Sequence, residues 1–334
     1  MLTISDWRDV GPEAAMAMVD AEAERWRIEL AWHVRDAWKS IESARVAGTL
    51  RGLVASNAAG ETVGWTCFML HHRSLQVAML VATSPAVTAA LIDGIATTRE
   101  FESAALCAVC VRDGAPGLDA ALAQRGFATV TYRYMQRPLG RRGAAREGLF
   151  GQAAAGQLGI GVTGRAWRLD DLDETVALCS SAYPDTRQDI RAFAPLGSEE
   201  EWRDYIMSLV MGPGCGLLVS AASLVAEGPD GGLDGVLLTT DLGVGTGHIA
   251  QVAVDPHRQG TGIGSALVVR AVGVLEELGF SRATLLVSAE NFRAGRVYER
   301  LGFDDRSSFV VAVNPQPRRF SRLALASGGA STRL

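Results

Sequence analysis

His248-Ile249-Ala250-Gln251-Val252-Ala253-Val254-Asp255-Pro256-His257-Arg258-Gln259-Gly260-Thr261-Gly262-Ile263-Gly264-Ser265-Ala266-Leu267 is the stretch on which the reading of this chain turns. Its apolar, β-branched start predicts a strand ending at Val254, which Asp255-Pro256 interrupts. Gly260, Gly262 and Gly264 then lead into an apolar-periodic segment that predicts a helix over 264–278. Glycines in a strand-to-helix turn let backbone N–H groups converge on an anion, and the helix N-terminus adds partial positive charge. Arg258 adds a mobile cation, and a pyrophosphate is the natural ligand of such a nest. The loop has no Gly-Lys-Ser/Thr, so it is not a Walker P-loop. A dinucleotide fingerprint counted from Gly260 and Gly262 would need glycine where Ser265 stands.

Downstream, Ala283-Thr284-Leu285-Leu286-Val287 predicts a further strand, followed by Asn291, Ala294, Tyr298 and Leu301-Gly302-Phe303. The spacing Q-x-x-G-x-G (Gln259, Gly262, Gly264) resembles the pyrophosphate loop of the GNAT family of acetyl-coenzyme A-dependent N-acetyltransferases. The second set resembles that family's N-x-x-A-x-x-x-Y-x-x-x-G-F signature. The two signatures cover 248–303, and the general layout extends the likeness to 163–314. The resemblance implies that the loop Arg258, Gln259, Gly260, Thr261, Gly262, Ile263 and Gly264 holds the pyrophosphate of acetyl-CoA. It implies that Asn291 and Ala294 lie along the pantetheine, and that backbone N–H groups near Val252, Ala253 and Val254 hold the oxyanion and pantetheine where their strand splays from its neighbour. It further implies that Tyr298 protonates the departing thiolate, the acceptor amine attacking directly in a ternary complex.

Acetyl transfer to an amine also calls for a base. Gln251 cannot serve. Asp241 and His248 are the nearby titratable groups, with a water chain as the other option, and the base stays open. His248 reads as an exposed strand-edge residue and Asp241 as a turn residue. Tyr183, Asp185 and Tyr205 are candidate acceptor contacts by family layout alone. The competing function is a non-catalytic acyl-CoA-binding or sensing module.

The chain also repeats itself. Leu53-Val54-Ala55 with Gly64 matches Leu224-Val225-Ala226 with Gly235 at an offset of 171, which Pro85 and Pro256 keep. Gly126-Phe127 matches Gly302-Phe303 at an offset of 176. The difference falls in one loop, where Ala86 and Val87 stand against His257 through Ile263. At the later offset Asn291 corresponds to Ala115 and Tyr298 to Leu122. The expectation is an α/β protein of two GNAT-like domains, each a mixed, mostly antiparallel sheet flanked by helices. Residues 1–139 form a degenerate copy without the pyrophosphate loop, 140–161 a linker, 162–315 the acetyl-CoA-binding domain and 316–334 a tail.

With 334 residues, 48% hydrophobic and 21% charged, the chain can bury ordinary cores and is not a mainly disordered one. A net charge of −5 offers no basic surplus to nucleic acid, and mildly favours a cationic small amine, an amino acid or a peptide N-terminus as acceptor. Pro85 and the cluster Gly212, Pro213, Gly214 and Gly216 interrupt the two long uncharged stretches, so no membrane partner is expected. An N-terminus with acid where a secretory signal carries base points to the cytoplasm. Cys107 and Cys110 lie three apart on a predicted strand, hence on opposite faces, and no second pair completes a metal site, so the cysteines read as inert and no metal is expected. Trp26, Trp32 and Trp38 are spaced six apart and cannot share one helix stripe.

Overall fold

The computed structural model describes residues 2–34, 38–71, 74–140, 163–183, 197–212 and 215–314. Residues 141–161 of the expected linker and the expected tail lie outside these residues, as does Asp185.

Each half lays down its elements in the same order. The first has β1 (Thr3–Asp6), helices α1 (Pro12–Glu29) and α2 (Trp38–Ala47), and strands β2 (Arg51–Ser56), β3 (Thr62–His71) and β4 (Ser74–Ala82). Helix α3 (Pro85–Ala96), the short α4 (Arg99–Ser103), β5 (Leu106–Arg112), α5 (Leu118–Ala123) and β6 (Ala128–Pro138) complete it. The second half has β7 (Thr163–Ala166), α6 (Leu172–Ala182), α7 (Glu199–Met211), the two-residue β8 (Leu217–Leu218), β9 (Leu224–Glu227), β10 (Leu233–Asp241) and β11 (Thr246–Val254). It ends with α8 (Ile263–Glu277), β12 (Arg282–Ser288), α9 (Phe292–Arg300) and β13 (Asp304–Asn314). The strand expected to end at Val254 does so, the helix expected over 264–278 forms over Ile263–Glu277, and the strand expected at 283–287 forms over Arg282–Ser288. Thr163-Gly164-Arg165-Ala166, which forms β7, carries almost no apolar alternation.

The halves share one sheet, in the order β1-β2-β3-β4-β5-β13-β6-β12-β11-β10-β9-β7. From either end this order is the same, once each strand is replaced by its counterpart. Its centre is an exchange: β13 runs antiparallel to β5 from Phe309↔Arg112 to Asn314↔Cys107, and β6 runs antiparallel to β12 from Arg282↔Pro138 to Ser288↔Tyr132. Each half is therefore closed by the other half's last strand. Arg306 of β13 also donates to the carbonyls of Ile28 and Glu29 at the C-terminal end of α1, through Nη2 at 2.9 Å and Nε at 2.8 Å.

Packing follows the sequence periodicities. On α8 the residues Ile263, Leu267, Val268, Ala271, Val272 and Leu275 are buried, a helical stripe laid on Leu224, Leu237, Ile249 and Leu285 of the sheet. On β5, Cys107 faces the first half's core while Cys110 faces the opposite side of the sheet. Burial holds both thiols up at about 12, so neither is a nucleophile at neutral pH. Between the halves, Trp26 and Trp32 meet at 5.1 Å and pack on Tyr132, Tyr134 and Phe309 of the exchanged strands.

The structural register refines the repeat. Gly64 pairs with Ala82 and Gly235 with Val254, so along β4 and β11 the offset is 172 rather than 171. Pro85 and Pro256 are therefore not equivalents: Pro85 opens α3, whereas Pro256 lies in the loop before α8.

The exchange makes a prediction. A protease site placed within residues 141–162 should yield two fragments that stay together through native size-exclusion chromatography and melt in a single calorimetric transition. Two separately folded species under native conditions would contradict the shared sheet.

Candidate active site

The site is built around a sheet that opens. β11 and β12 are parallel neighbours only from Thr246↔Arg282 to Ile249↔Leu285. Beyond these four pairs β11 stays with β10, β12 stays with β6, and the two strands part. A bulge sits where they separate: Leu238 opposes Gln251 and Thr239 opposes Ile249, leaving Ala250 without a partner on β10. Such a bulge bends the strand and re-aims the backbone that follows.

That backbone faces the opening. In an extended strand a residue's N–H and C=O point to the same edge, and successive residues alternate. The Val252 carbonyl accepts from the Tyr183 hydroxyl at 2.7 Å and the Val254 carbonyl from Gln259 Nε2 at 3.3 Å, so both residues' polar groups lie on the edge away from β10. Their N–H groups consequently point into the gap, while Ala253 faces β10 and Val236.

At the end of the opening, residues 255–262 turn from β11 into α8. Gly260 and Gly262 have φ of +86° and +97°, conformations that favour glycine. The Asp255 carboxylate accepts from the His257 N–H at 2.7 Å, and Thr261 Oγ1 donates to the Arg258 carbonyl at 2.6 Å. Among the described residues, the N–H groups of Gln259, Gly260, Gly262, Ile263 and Gly264 donate to no acceptor. Together with the Ser265 N–H, which also has no acceptor, these donors at a helix N-terminus form an anion cradle. Arg258 is not the mobile cation expected from the sequence: its Nε donates to Asp234 at 3.0 Å, which fixes the loop to β10.

Helix α9 borders the opening on the β12 side. The Asn291 carbonyl oxygen caps it by accepting from the Ala294 N–H at 3.0 Å, leaving the side-chain amide hydrogens available. The Tyr298 ring is half-buried and packs edge-on against Phe303 at 6.1 Å. Burial raises its hydroxyl to about 12, so it stays protonated at neutral pH. Tyr298 is close enough to Tyr183 to influence its ionisation, which burial already pushes up. The Tyr205 hydroxyl donates to the carbonyl of the bulged Ala250 at 3.0 Å. Tyr183 and Tyr205, two of the three side chains expected to contact the acceptor, thus both reach the irregular edge of β11.

His248 is buried, contrary to its reading as an exposed edge residue. It lies between the Trp32 ring at 5.7 Å and the Tyr134 ring at 6.0 Å, and Nδ1 shares a 3.0 Å hydrogen bond with Thr284 Oγ1. Both aromatic groups come from the first half. Burial lowers its pKa to about 4, so it is neutral at pH 7. Asp241 is a turn residue at the other end of β10, its carboxylate accepting from the Gly243 N–H at 2.8 Å. No cluster of three or more metal-ligating side chains is present among the described residues.

The first half keeps the geometry and loses the chemistry. β4 and β5 pair only from Ser74↔Leu106 to Val77↔Val109, and Ala78 is bulged against β3 as Ala250 is against β10. Only Thr83 and Ser84 separate β4 from α3. There the Ser84 hydroxyl accepts from the Val87 N–H at 3.4 Å, and Pro85 has no N–H to offer. Leu122 is the counterpart of Tyr298: its carbonyl accepts from the Phe127 N–H at 3.1 Å, as the Tyr298 carbonyl accepts from Phe303 at 3.0 Å. Leu122, Phe127 and Leu80 belong to the core under α3, where they line a cavity of about 10 Å³, too small for more than about one water.

Two further groups reach the opening without belonging to any sequence motif. Arg133 of β6 lies on α9: its Nε donates to Asp305 at 2.8 Å and its Nη2 to Glu299 at 2.8 Å, so the first half braces the helix that carries Tyr298. Arg293 of α9 reaches the glycine loop, with Nη2 2.7 Å from where a Cβ on Gly260 would stand. Only the exchange of strands and the turn of the loop bring these two arginines into place.

Residues 182–303 match the family model described as acetyltransferase (GNAT) family. A mycothiol acetyltransferase from Clavibacter sepedonicus is 30% identical over 166 residues, 49% of this chain and 48% of that protein. The chain spans about half or less of the length of the curated relatives it matches. Among solved structures, a GCN5-related N-acetyltransferase from Sphaerobacter thermophilus has a TM-score of 0.56 at 20% identity, covering 79% of this chain and 80% of that one. A tandem GNAT protein from the clavulanic acid biosynthesis pathway has a TM-score of 0.53 at 14% identity, covering 79% and 82%. The family-model match spans the second half's opening, and the two halves together share the fold of that tandem GNAT protein.

The buried His248 gives a stability prediction. Its folded pKa lies below the ordinary 6.5, so the unfolded chain binds the extra proton first. The contribution is fully present above about pH 6.5 and is lost as pH falls towards about 4, by roughly 3 kcal/mol across that window. Urea unfolding of His248→Gln at pH 7 and pH 5 should show a smaller loss between the two than the parent chain shows. An equal loss would assign the acid sensitivity to another group.

Proposed function

We propose that this chain transfers an acetyl group from acetyl-CoA to a primary amine, by direct attack in a ternary complex held in the opening between β11 and β12. The observation that carries the reading is the conjunction, in one cleft, of five unsatisfied loop amides, two strand N–H groups and a protonated tyrosine.

Acetyl-CoA supplies an activated thioester. The amides of Gln259, Gly260, Gly262, Ile263 and Gly264 hold its diphosphate, and the Asn291 side-chain amide meets the pantetheine. The N–H groups of Val252 and Val254 continue the line of donors along β11, where one can take pantetheine and another the oxygen that gains charge during attack. Donors fixed before the reaction stabilise that charge without reorganising.

Tyr298 acts chiefly by hydrogen-bonding the departing sulfur. A hydroxyl held at about 12 is a weaker acid than an ordinary thiol, so its value to the reaction lies in remaining protonated and oriented. The attacking amine must lose a proton as its bond to the acetyl carbon forms. His248 is neutral and on the strand that lines the cleft, whereas Asp241 is committed to its turn. A base held near 4 is too weak to take it from an ammonium, and His248 is buried in the still-paired part of β11, so we assign the proton to water.

The acceptor enters from the side of Tyr183 and Tyr205. Because curated relatives carry the name mycothiol acetyltransferase, amines related to mycothiol are the first to screen, followed by amino acids and peptide N-termini.

Three outcomes are expected. Thiol release from acetyl-CoA should depend on an added amine; binding of acetyl-CoA with no turnover on any amine would point to the sensing module instead. Gly262→Glu, which puts a side chain at φ +97° and a carboxylate in the cradle, should abolish acetyl-CoA binding in calorimetry, and undiminished binding would remove the loop from the site. Tyr298→Phe should lower kcat about 10- to 100-fold with KM for acetyl-CoA nearly unchanged; full turnover would remove Tyr298 from the chemistry.

A further inference from the structure

Arg293 is at the second position of α9, the end of a helix where a cation is disfavoured by the macrodipole. The first turn of α9 contains no acidic residue to offset it. Among the described residues no carboxylate pairs with Arg293, and its guanidinium donates no hydrogen bond to a protein acceptor. Other arginines nearby are engaged: Arg258 with Asp234, and Arg133 with Glu299 and Asp305. Arg293 is exposed, so solvent screens much of this unfavourable charge–dipole interaction, and no protein group offsets the remainder.

Its position explains the cost. Arg293 Nη2 lies over Gly260, 2.7 Å from the place a Cβ would take, so the guanidinium occupies space that only glycine leaves open. Gly260 is one of the loop residues whose N–H groups have no acceptor among the described residues. An anion seated on those amides would have backbone donors on one side and the planar fork of Arg293 on the other. A guanidinium matches two phosphate oxygens at once, which an ammonium does not.

We propose that Arg293 clamps the diphosphate of the acyl donor against the amide cradle, taking the role the sequence suggested for Arg258. The inference rests on the donor-site reading above and adds to it which side chain supplies the positive charge, and to which phosphate. Arg258 keeps the loop in place through Asp234, and Arg293 meets the ligand.

The test is equilibrium binding of CoA, dephospho-CoA and 4′-phosphopantetheine to the full chain. Dephospho-CoA lacks the 3′-phosphate but keeps the diphosphate, whereas 4′-phosphopantetheine has a single phosphate. Arg293→Ala should weaken CoA and dephospho-CoA alike, by about 10- to 100-fold, and 4′-phosphopantetheine less. Arg293→Lys should recover part of the loss. Arg296→Ala, which removes another arginine from the same helix, should change binding by less than about 2-fold. Melting temperatures should be unchanged in all three variants.

Wild-type affinity in Arg293→Ala would overturn the clamp while leaving the donor site intact. A loss confined to CoA, with dephospho-CoA unaffected, would move Arg293 to the 3′-phosphate and overturn the assignment. An equal loss in Arg296→Ala would make the effect diffuse charge and overturn it as well. Failure of the parent chain to bind CoA at all would overturn the donor site and the clamp with it.

Discussion

The pairing of β13 with β5 and of β6 with β12 is the constraint on which the rest of the structure depends. Without it each half would end in an open strand edge, a row of unpaired N–H and C=O groups that seeks another partner. With it, the two halves become a single hydrogen-bonded body. The same pairing brings Tyr132, Tyr134 and Arg133 alongside the second half's cleft, and lets Trp32 cover His248. The half without the glycine loop is thereby part of the wall and bracing of the half that has it.

The two clefts separate what a GNAT-like backbone provides from what side chains must add. Both contain four parallel pairs, then a bulge, then a parting of strands. Opening a sheet exposes backbone groups and costs packing, so something must occupy the space. In the first half Leu122 stands where the second half has Tyr298, and it is buried with Leu80 and Phe127 in the core under α3. In the second the space stays lined with donors, and the replacement of Leu122 by Tyr298 and of Ser84-Pro85 by a glycine loop marks the difference. The parting of strands is a property of the repeat; suitability for a charged ligand is a property of one copy.

Much of this was legible in the sequence because it is local. The spacing Q-x-x-G-x-G reports backbone conformation over a few residues: its first glycine, Gly262, adopts a left-handed φ, as does the neighbouring Gly260. Cys107 and Cys110 were separable to two faces because strand periodicity is strict. The exchange was not legible: alternation in Ala128–Pro138 and Asp304–Asn314 says that both strands are covered, and nothing about which strand lies alongside. The burial of His248 escaped for the same reason, its cover being supplied by Trp32 from over 200 residues away. Arg258 was misread as mobile because Asp234, the partner that fixes it, lies 24 residues upstream, outside the local pattern.

The exchanged strand also sets a clock on synthesis. Arg112 ends β5 and Phe309, its partner, lies 197 residues later. At about 5–20 residues per second, the ribosome needs on the order of 10–40 s to deliver that partner after β5 has emerged. For that interval the first half carries an unsatisfied edge and an uncovered apolar face, whatever its own stability. Selection on this chain therefore acts on a nascent state as well as on the finished one, and the order of translation is as much a determinant of its yield as the strength of its core.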